Sequence, residues 1–590
     1  MKNKNIYRLV FLSFLLSVWG CDDAGFLREN PETFYTTDNA FTTPGQVDQV
    51  LISAYSQVRD LVGNPDNTSW IGALRFNGTD MYDVASIRRG NSFNDYGILN
   101  PNHGNYYNAY STFYQLSAKM NLAIYSANSP DLVWGSEEEK AYAIAQAKFF
   151  RAFAYRNLGE IFGGVPLVSE VVNESRFNFK RTTRVETYQF AIDDLESSYM
   201  DLPETTGSAG RIVRGAAQHY LSELYLAKGI QLEMEGKPAD AQAAYKKSIE
   251  YANSVIDGSV YSLMTDRFGT RKNENPEFYY YEDANVSKKK HSYEEVIGVT
   301  EGNVYWDLFQ EGNINYQDGN KECIWALQID YAAYKAEDKK SRLPYAGFYG
   351  PVFRDAAPAH FGKSILEDVG GRGVSFLMPT MYTRDVIYEG KWGKDMRNSE
   401  AVFRRMFVAS QKTSPYYGKV VPWEEIYADQ NKKSLAYPIS CKISTDKFTG
   451  LNDGENRSNL FRDEYVIRLP ETILLRAEAK MRSGDMAGAA ADINLLRERA
   501  QCEYRVTAGD VNIDLILDER ARELVYEEWR WNTLLRMGGT VATDRIKKYA
   551  YWPEAQSTLT FEFNLWPIPQ TVIDTNKDEK LEQNCEWGSR

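Results

Sequence analysis

Apolar residues recur at helical spacing through two long tracts of the chain. The first opens with "GQVDQVLISAYSQVRDLV" and continues through "YSTFYQLSAKMNLAIYSAN", "EEEKAYAIAQAKFFRAFAYRNLGEIFG", "RVETYQFAIDDLESSYMDL", "RGAAQHYLSELYLAKGIQLEM" and "ADAQAAYKKSIEYANSVIDG". Apolar side chains at i, i+3, i+4 and i+7 predict amphipathic helices, and the short polar breaks between them predict antiparallel pairs. In the fourth and fifth of these later segments, small Ala216 and Ala217 precede Tyr220, Leu221, Leu224 and Tyr225, and Pro238 opens the next helix. A helix-turn-helix unit of about 34 residues is the tetratricopeptide pattern. The second tract, "YVIRLPETILLRAEAKMRSGDMAGAAADINLLRERA", repeats it with Gly484 in the turn.

Between the tracts, from roughly 265 to 460, Gly, Asn, Tyr and Pro replace sustained periodicity. That stretch predicts a loop-rich insertion resting on the helices. The fold class expected is therefore mainly α: a tetratricopeptide-like helical scaffold with a large irregular insertion. The expected divisions are 41–264 for the N-terminal helical region, 265–460 for the insertion and 461–590 for the closing helical region, together one composite domain.

The first 40 residues carry no such pattern. "MKNKNIYRLVFLSFLLSVWGCDD" has a basic start, an apolar run from Leu9 to Trp19 and Gly20 just before Cys21. This is the arrangement of a secretory signal peptide, with an apolar run too short to remain as a membrane span. Cysteine directly after the small residue resembles a bacterial lipobox, which implies cleavage after residue 20, lipidation of Cys21 and a polar tether over 21–40. Several acyl chains hold a protein to a bilayer far more durably than one. Asp22 and Asp23 resemble the acidic pair that follows the lipidated cysteine in surface-exposed lipoproteins of some Gram-negative bacteria.

Composition narrows the function. A net charge of -13 argues against nucleic acid as a partner, since phosphate affinity rests on clustered Lys and Arg. Forty tyrosines and 12 tryptophans in 590 residues exceed what a core requires and suit a flat, polar-rimmed ligand. Cys323, Cys441, Cys502 and Cys585 are dispersed without a CxxC, so metal spacing is absent, and both pairing and free thiols are open. The four histidines form no HExxH, and neither a GxSxG elbow nor a phosphate loop occurs. No cofactor or metal is expected. "DTNKDEKLE" (574–582) lacks the glycine of a calcium loop and reads as a solvated loop.

Several motifs in order, "AKFFRAFAYRNLGEIFGGVPLV", "GRIVRGAAQHYLSELYLAKG", "RLPETILLRAEAKMRSGD", "ILDERARELVYEEWRWNTLLRMG", "LWPIP" and the late Gln583–Asn584, resemble the SusD/RagB family of outer-membrane nutrient-binding lipoproteins. The resemblance covers nearly the whole chain. It implies four tetratricopeptide-like repeats, no catalytic activity, a glycan or peptide ligand, and a SusC-like TonB-dependent transporter as partner. It also gives "DERARELVYEEWRW" (518–531), with five carboxylates and three guanidiniums, a meaning. On one helix, Glu528 would fall among Leu517, Ala521, Leu524, Trp531 and Leu535, so it needs a partner such as Arg497, Arg499 or Arg468. The reading is a structural bolt rather than a catalytic pair.

The resemblance places recognition in the loops after the first helix and in the insertion. Asp80 and Arg88 resemble the acid and arginine that glycan-binding members use, and Asn108 with Tyr106 or Tyr107 resembles the amide and aromatic that follow. In the insertion, Trp306, Tyr316, Tyr345 and Tyr349 are candidate ring platforms. A peptide-binding member of the family and a glycoside hydrolase using two carboxylates are the alternatives.

Overall fold

The computed structural model describes residues 41–63, 76–88, 95–281, 288–292, 301–336, 338–362, 372–407, 428–445 and 458–588, with isolated positions between 409 and 421 and between 447 and 450. The signal segment and Cys21 lie outside the described residues, as do the side chains of Arg88 and of residues 277–292.

Helices dominate, for the reasons the periodicity gave. Helix α1 (Pro44–Gly63) buries Val47, Leu51, Ala54, Val58 and Leu61 along one stripe against α2 (Gly104–Ala127) and α3 (Glu137–Phe162). Ser136 caps α3 by accepting from the Glu139 backbone N–H, and three glutamates in its first turn meet the positive end of the helix. Helix α4 (Arg184–Glu196) starts in a reciprocal box between Thr183 and Glu186. Next come α5 (Arg214–Met234) and α6 (Pro238–Ile256), which pack as an antiparallel pair. They approach closely because Gly229 lies where a Cβ would be 2.5 Å from the Tyr245 ring.

The insertion has a core of its own. Tyr305, Trp306, Phe348, Tyr349 and Tyr437 cluster there with Phe76, Tyr82 and Tyr526 from outside it. Its local structure is short: strand β1 (Tyr82–Asp83) is fixed by pairing antiparallel with β3 (Met378–Pro379), and β2 (Cys323–Leu327) pairs with β4 (Glu464–Arg468), its register shifting at Trp325. Helix α7 (Tyr331–Lys335) follows β2, and α8 (Tyr345–Tyr349) is wholly buried. The Tyr345 hydroxyl donates to the Val62 carbonyl at 3.1 Å, which fastens the insertion to the end of α1.

The closing region pairs α9 (Leu469–Arg482) with α10 (Met486–Arg499) around Gly484, whose φ of +91° supplies the left-handed turn. The acidic, arginine-rich run is not one helix. Helix α11 (Ile513–Leu524) stops, Tyr526 adopts φ +64°, and α12 (Arg530–Met537) begins afresh. Glu528 therefore takes its partners from nearby in the chain: Arg520, Arg530 at 3.0 Å and the Thr533 hydroxyl at 2.7 Å. Arg497 instead holds Glu519 at 2.8 Å, and Arg499 and Arg468 converge on Glu523 at 2.6 and 3.0 Å. Burial alone would raise the Glu523 pKa, but Arg499, Arg468 and Arg397 outweigh it and hold the carboxyl down at about 2. Every carboxylate of this network faces guanidinium, so the run is a buried clamp between α9, α10, α11 and the insertion.

The chain's end closes the other face. Trp531, Phe563, Trp566 and Trp587 form an aromatic cluster, and the Asn584 side chain donates to the Phe162 and Trp566 carbonyls. In 574–582, Asn576 donates to the Phe179 and Glu579 carbonyls and accepts from the Phe179 N–H, so this loop is pinned to the segment after α3. Cys323, Cys441, Cys502 and Cys585 are unpaired, and among the described residues no His/Cys/Asp/Glu group could hold a metal.

Candidate functional site

Helix α1 has a second face. Ile52, Tyr55, Ser56 and Arg59, at i, i+3, i+4 and i+7, turn away from the buried stripe and form one wall of an open cleft of about 280 Å³. The other wall is Ala209–Arg211, the end of β2 from Trp325 to Leu327, and Gln328. Three hydrogen bonds fix the walls. The Tyr55 hydroxyl donates to Gln146 at 2.8 Å and accepts from the Ile212 N–H at 3.1 Å, while the Trp325 indole donates to the Gly210 carbonyl at 3.0 Å. Burial raises the Tyr55 pKa, so the phenol keeps its proton for that bond. Gly210 has φ +80°, and a Cβ there would lie 2.6 Å from Gln328 Cγ. Only glycine fits both the turn and the narrow wall.

The lining combines aromatic and apolar surface (Tyr55, Ile52) with donors (Arg59, Arg211, Gln328) and the Ser56 hydroxyl, while Trp325 lies buried behind the wall against Phe149 and Phe153. The Arg211 guanidinium lies over the Tyr55 ring at 5.3 Å, and Gln328 donates to Asn315 at 2.8 Å. A smaller crevice of about 30 Å³ shares Gly210, Arg211, Trp325 and Ala326 with the cleft and is lined beyond them by Tyr261, Asn315 and Tyr316. At the other end, Arg59 reaches Asp338 at 3.1 Å, four residues past Tyr334. Tyr331 and Tyr334, half-buried on α7, lie nearly parallel at 15° and 6.5 Å, both against Phe461 at 4.6 and 5.0 Å. Lys339 Nζ sits 4.9 Å from the Tyr334 ring. Rings beside a few fixed donors are what a sugar's C–H face and hydroxyls require.

The residues singled out in the sequence are scattered. Tyr316 lies in the crevice adjoining the cleft, with Lys321 Nζ 3.9 Å over its ring. Tyr107 is exposed and Asn108 half-buried in the first turns of α2, away from the cleft lining. Asp80 is fully buried, held by Arg530 and Arg545 at 2.6 and 2.7 Å, and so is closed to a ligand. Tyr106 packs on Trp566 and Trp587, Trp306 on the Arg267 and Arg271 guanidiniums, and Tyr345 on Tyr349. Burial corrects the expectation that these four rings are platforms: they are core. Arg88 ends a short 3-10 turn and its side chain lies outside the described residues.

Sequence reading missed Tyr55, Arg59, Arg211, Tyr331 and Tyr334. The signals existed: Ile52, Tyr55 and Arg59 are off the apolar stripe of α1, and Tyr331 and Tyr334 at i, i+3 share one helix face. A second cleft, about 270 Å³, lies between Tyr110, Tyr114, Phe177, Phe179, Val572 and Leu581. Arg176 and Thr575 also line it; Arg176 pairs with Glu170, and its Asn576 is committed to backbone.

Comparison with known proteins places this arrangement. The family model described as "SusD family" matches residues 181–587, and one described as "Starch-binding associating with outer membrane" matches 26–226. A SusD-like protein P2 of Formosa agariphila is 23% identical over 547 residues, 90% of each chain. A second from that organism, P25, is 22% identical over 98% of this chain and 97% of its own. Among solved structures, a SusD homolog from Bacteroides thetaiotaomicron superposes with a TM-score of 0.66 at 16% identity, over 93% of this chain and 98% of its own. Surface glycan-binding protein A of the same species, in complex with laminarihexaose, gives 0.60 at 17% identity over 92% and 100%. With its scaffold matched over 93% of its length and the family model spanning more than half of it, this chain belongs to the SusD family.

Proposed function

We propose that this protein is an outer-membrane lipoprotein, facing the cell exterior, that binds oligosaccharides without altering them and delivers them to a SusC-like TonB-dependent transporter. Residues 1–20 are then the signal peptide, Cys21 carries the lipid, 21–40 form the tether and 41–590 one composite domain. The observation that carries the reading is the cleft between α1 and β2, in which the Tyr55 ring meets arginine, glutamine and hydroxyl groups. Its lining contains no carboxylate, whereas glycoside hydrolysis in its usual form needs two. The clamp of carboxylates lies buried elsewhere and paired with guanidiniums, which supports binding rather than turnover. Family membership supports the anchoring and the partner, and a structural neighbour named for glycan binding supports the ligand class.

The soluble chain starting at residue 22, incubated with a polysaccharide panel, tests the reading. Retention on at least one glycan with no released product, and loss of the full-length protein from membranes on Cys21→Ala, are expected. Product formation traced to this polypeptide would refute it.

A further inference from the structure

Two of the groups lining the cleft are guanidiniums, Arg59 and Arg211, and none is an acid, in a chain whose net charge is -13. Their carboxylate partners stand outside the lining and are open to water. Asp338, 3.1 Å from Arg59, is 40% exposed, and Asp48, 3.2 Å from Arg211, is 46% exposed. Pairs of that kind are weak, because solvent screens them and two flexible side chains must be held. Each arginine spends one terminal nitrogen on its acid: Nη2 for Arg59 and Nη1 for Arg211. Arg59 Nε is enclosed yet has no hydrogen-bond partner among the described residues. A buried donor without an acceptor is costly.

From this lining we infer that the cleft selects acidic sugars, with Arg59 and Arg211 receiving a uronate carboxylate or a sulfate ester. The inference rests on the proposed binding role and adds the ligand's charge to it. Guanidinium forks match the planar or tetrahedral oxyanion of either group and form charge-assisted hydrogen bonds that a neutral hydroxyl cannot equal. The Arg211 fork is already oriented by its place over Tyr55, so less freedom is lost on binding. Tyr55 supplies the surface for the sugar ring, and the two cations supply the discrimination.

Calorimetric titration of the soluble chain with neutral, uronate-containing and sulfated oligosaccharides of matched length tests this. Acidic ligands should bind at least roughly tenfold tighter than neutral ones, and that margin should shrink as sodium chloride rises toward about 0.5 M. Arg59→Gln and Arg211→Gln should each weaken the acidic ligand roughly tenfold and the neutral one less than about twofold, with Arg→Lys recovering part of the loss. The wild-type ligand comparison and its salt dependence stand even if a variant fails to fold. The uronate and sulfate arms tell which anion is taken. Neutral ligands binding as tightly as acidic ones would overturn the inference and leave the binding role intact. Acidic ligands held equally by wild type and both folded variants would overturn it too, by placing the anion elsewhere. Failure of every glycan to bind would overturn both readings.

Discussion

Asp80 and Arg530, 450 residues apart, meet as a bidentate ion pair with Nη2–Oδ2 at 2.6 Å and Nε–Oδ1 at 2.8 Å, both side chains fully buried. Arg545 adds a third bond to the same carboxylate at 2.7 Å. The pair ties the start of the fold to its closing helices. Asp80→Asn should cost about 3 kcal/mol, because it removes the buried counter-charge that two guanidiniums share, leaving Arg530 only Glu528 and Arg545 only the more exposed Asp514 and Asp518. Urea unfolding reads that loss. Calorimetry on the folded fraction should show unchanged glycan affinity, whereas a selective loss of binding at normal stability would return Asp80 to the ligand site.

The same pair sets the acid limit. Burial works to raise the Asp80 pKa, yet Arg530 and Arg545 prevail and hold it at about 2, as the arginines around Glu523 do there. Groups whose folded pKa is depressed contribute stability above the unfolded value of about 4, and the contribution is lost as pH falls through the folded value. Asp83 acts in the opposite sense. Burial outweighs its bonds from the Val84, Trp552 and Tyr551 N–H groups and raises it to about 7. Its contribution is full below about pH 4 and fades as pH rises through 7. Melting temperature should therefore rise from pH 2 to about 4 and decline gently toward 7, and Asp83→Asn should flatten the upper slope. A slope unaffected by that change would remove Asp83 from the account.

Gly210→Ala tests whether the cleft wall is as tight as its geometry states. The substitution must hold φ +80° with its methyl 2.6 Å from Gln328 Cγ. A destabilisation of about 1–2 kcal/mol is expected, with weaker glycan binding as Gln328 shifts. Thermal melting and calorimetry report the two separately. Full stability and affinity would show that the wall is loose.

Tyr331 and Tyr334 separate surface rings from core rings. Each contributes about 1 kcal/mol if it stacks on a sugar, so alanine at either should weaken binding roughly fivefold with little change in melting temperature. Tyr349→Ala, in the buried cluster with Phe76 and Tyr526, should instead cost about 3–5 kcal/mol. The reverse pattern would exchange their roles.

These contrasts explain what could be read from the chain in advance. The helices follow from spacing: α4 even announces its start through Thr183 and Glu186, and α9 and α10 their turn through Gly484. The break at Tyr526 was hidden, because Leu517, Leu524, Trp531 and Leu535 keep helical spacing across it and only tertiary pairing to Tyr82, whose hydroxyl accepts the Tyr526 N–H at 2.6 Å, reveals the left-handed turn. The ligand surface was hidden for a related reason. Tyrosine is amphipathic, so a ring-rich insertion reads alike whether its rings face water or, like Tyr345 and Tyr437, fill a core and send the hydroxyl to backbone. What makes the cleft is Arg59 of α1 meeting Arg211 and Gln328, positions with no periodic relation to one another.

The most direct test is a crystal structure of the soluble chain with the tightest oligosaccharide of the panel. The account predicts a sugar seated between the Ile52–Arg59 face of α1 and the Gly210–Gln328 wall, its ring over Tyr55. A sugar bound only elsewhere, with this cleft filled by water, would contradict it.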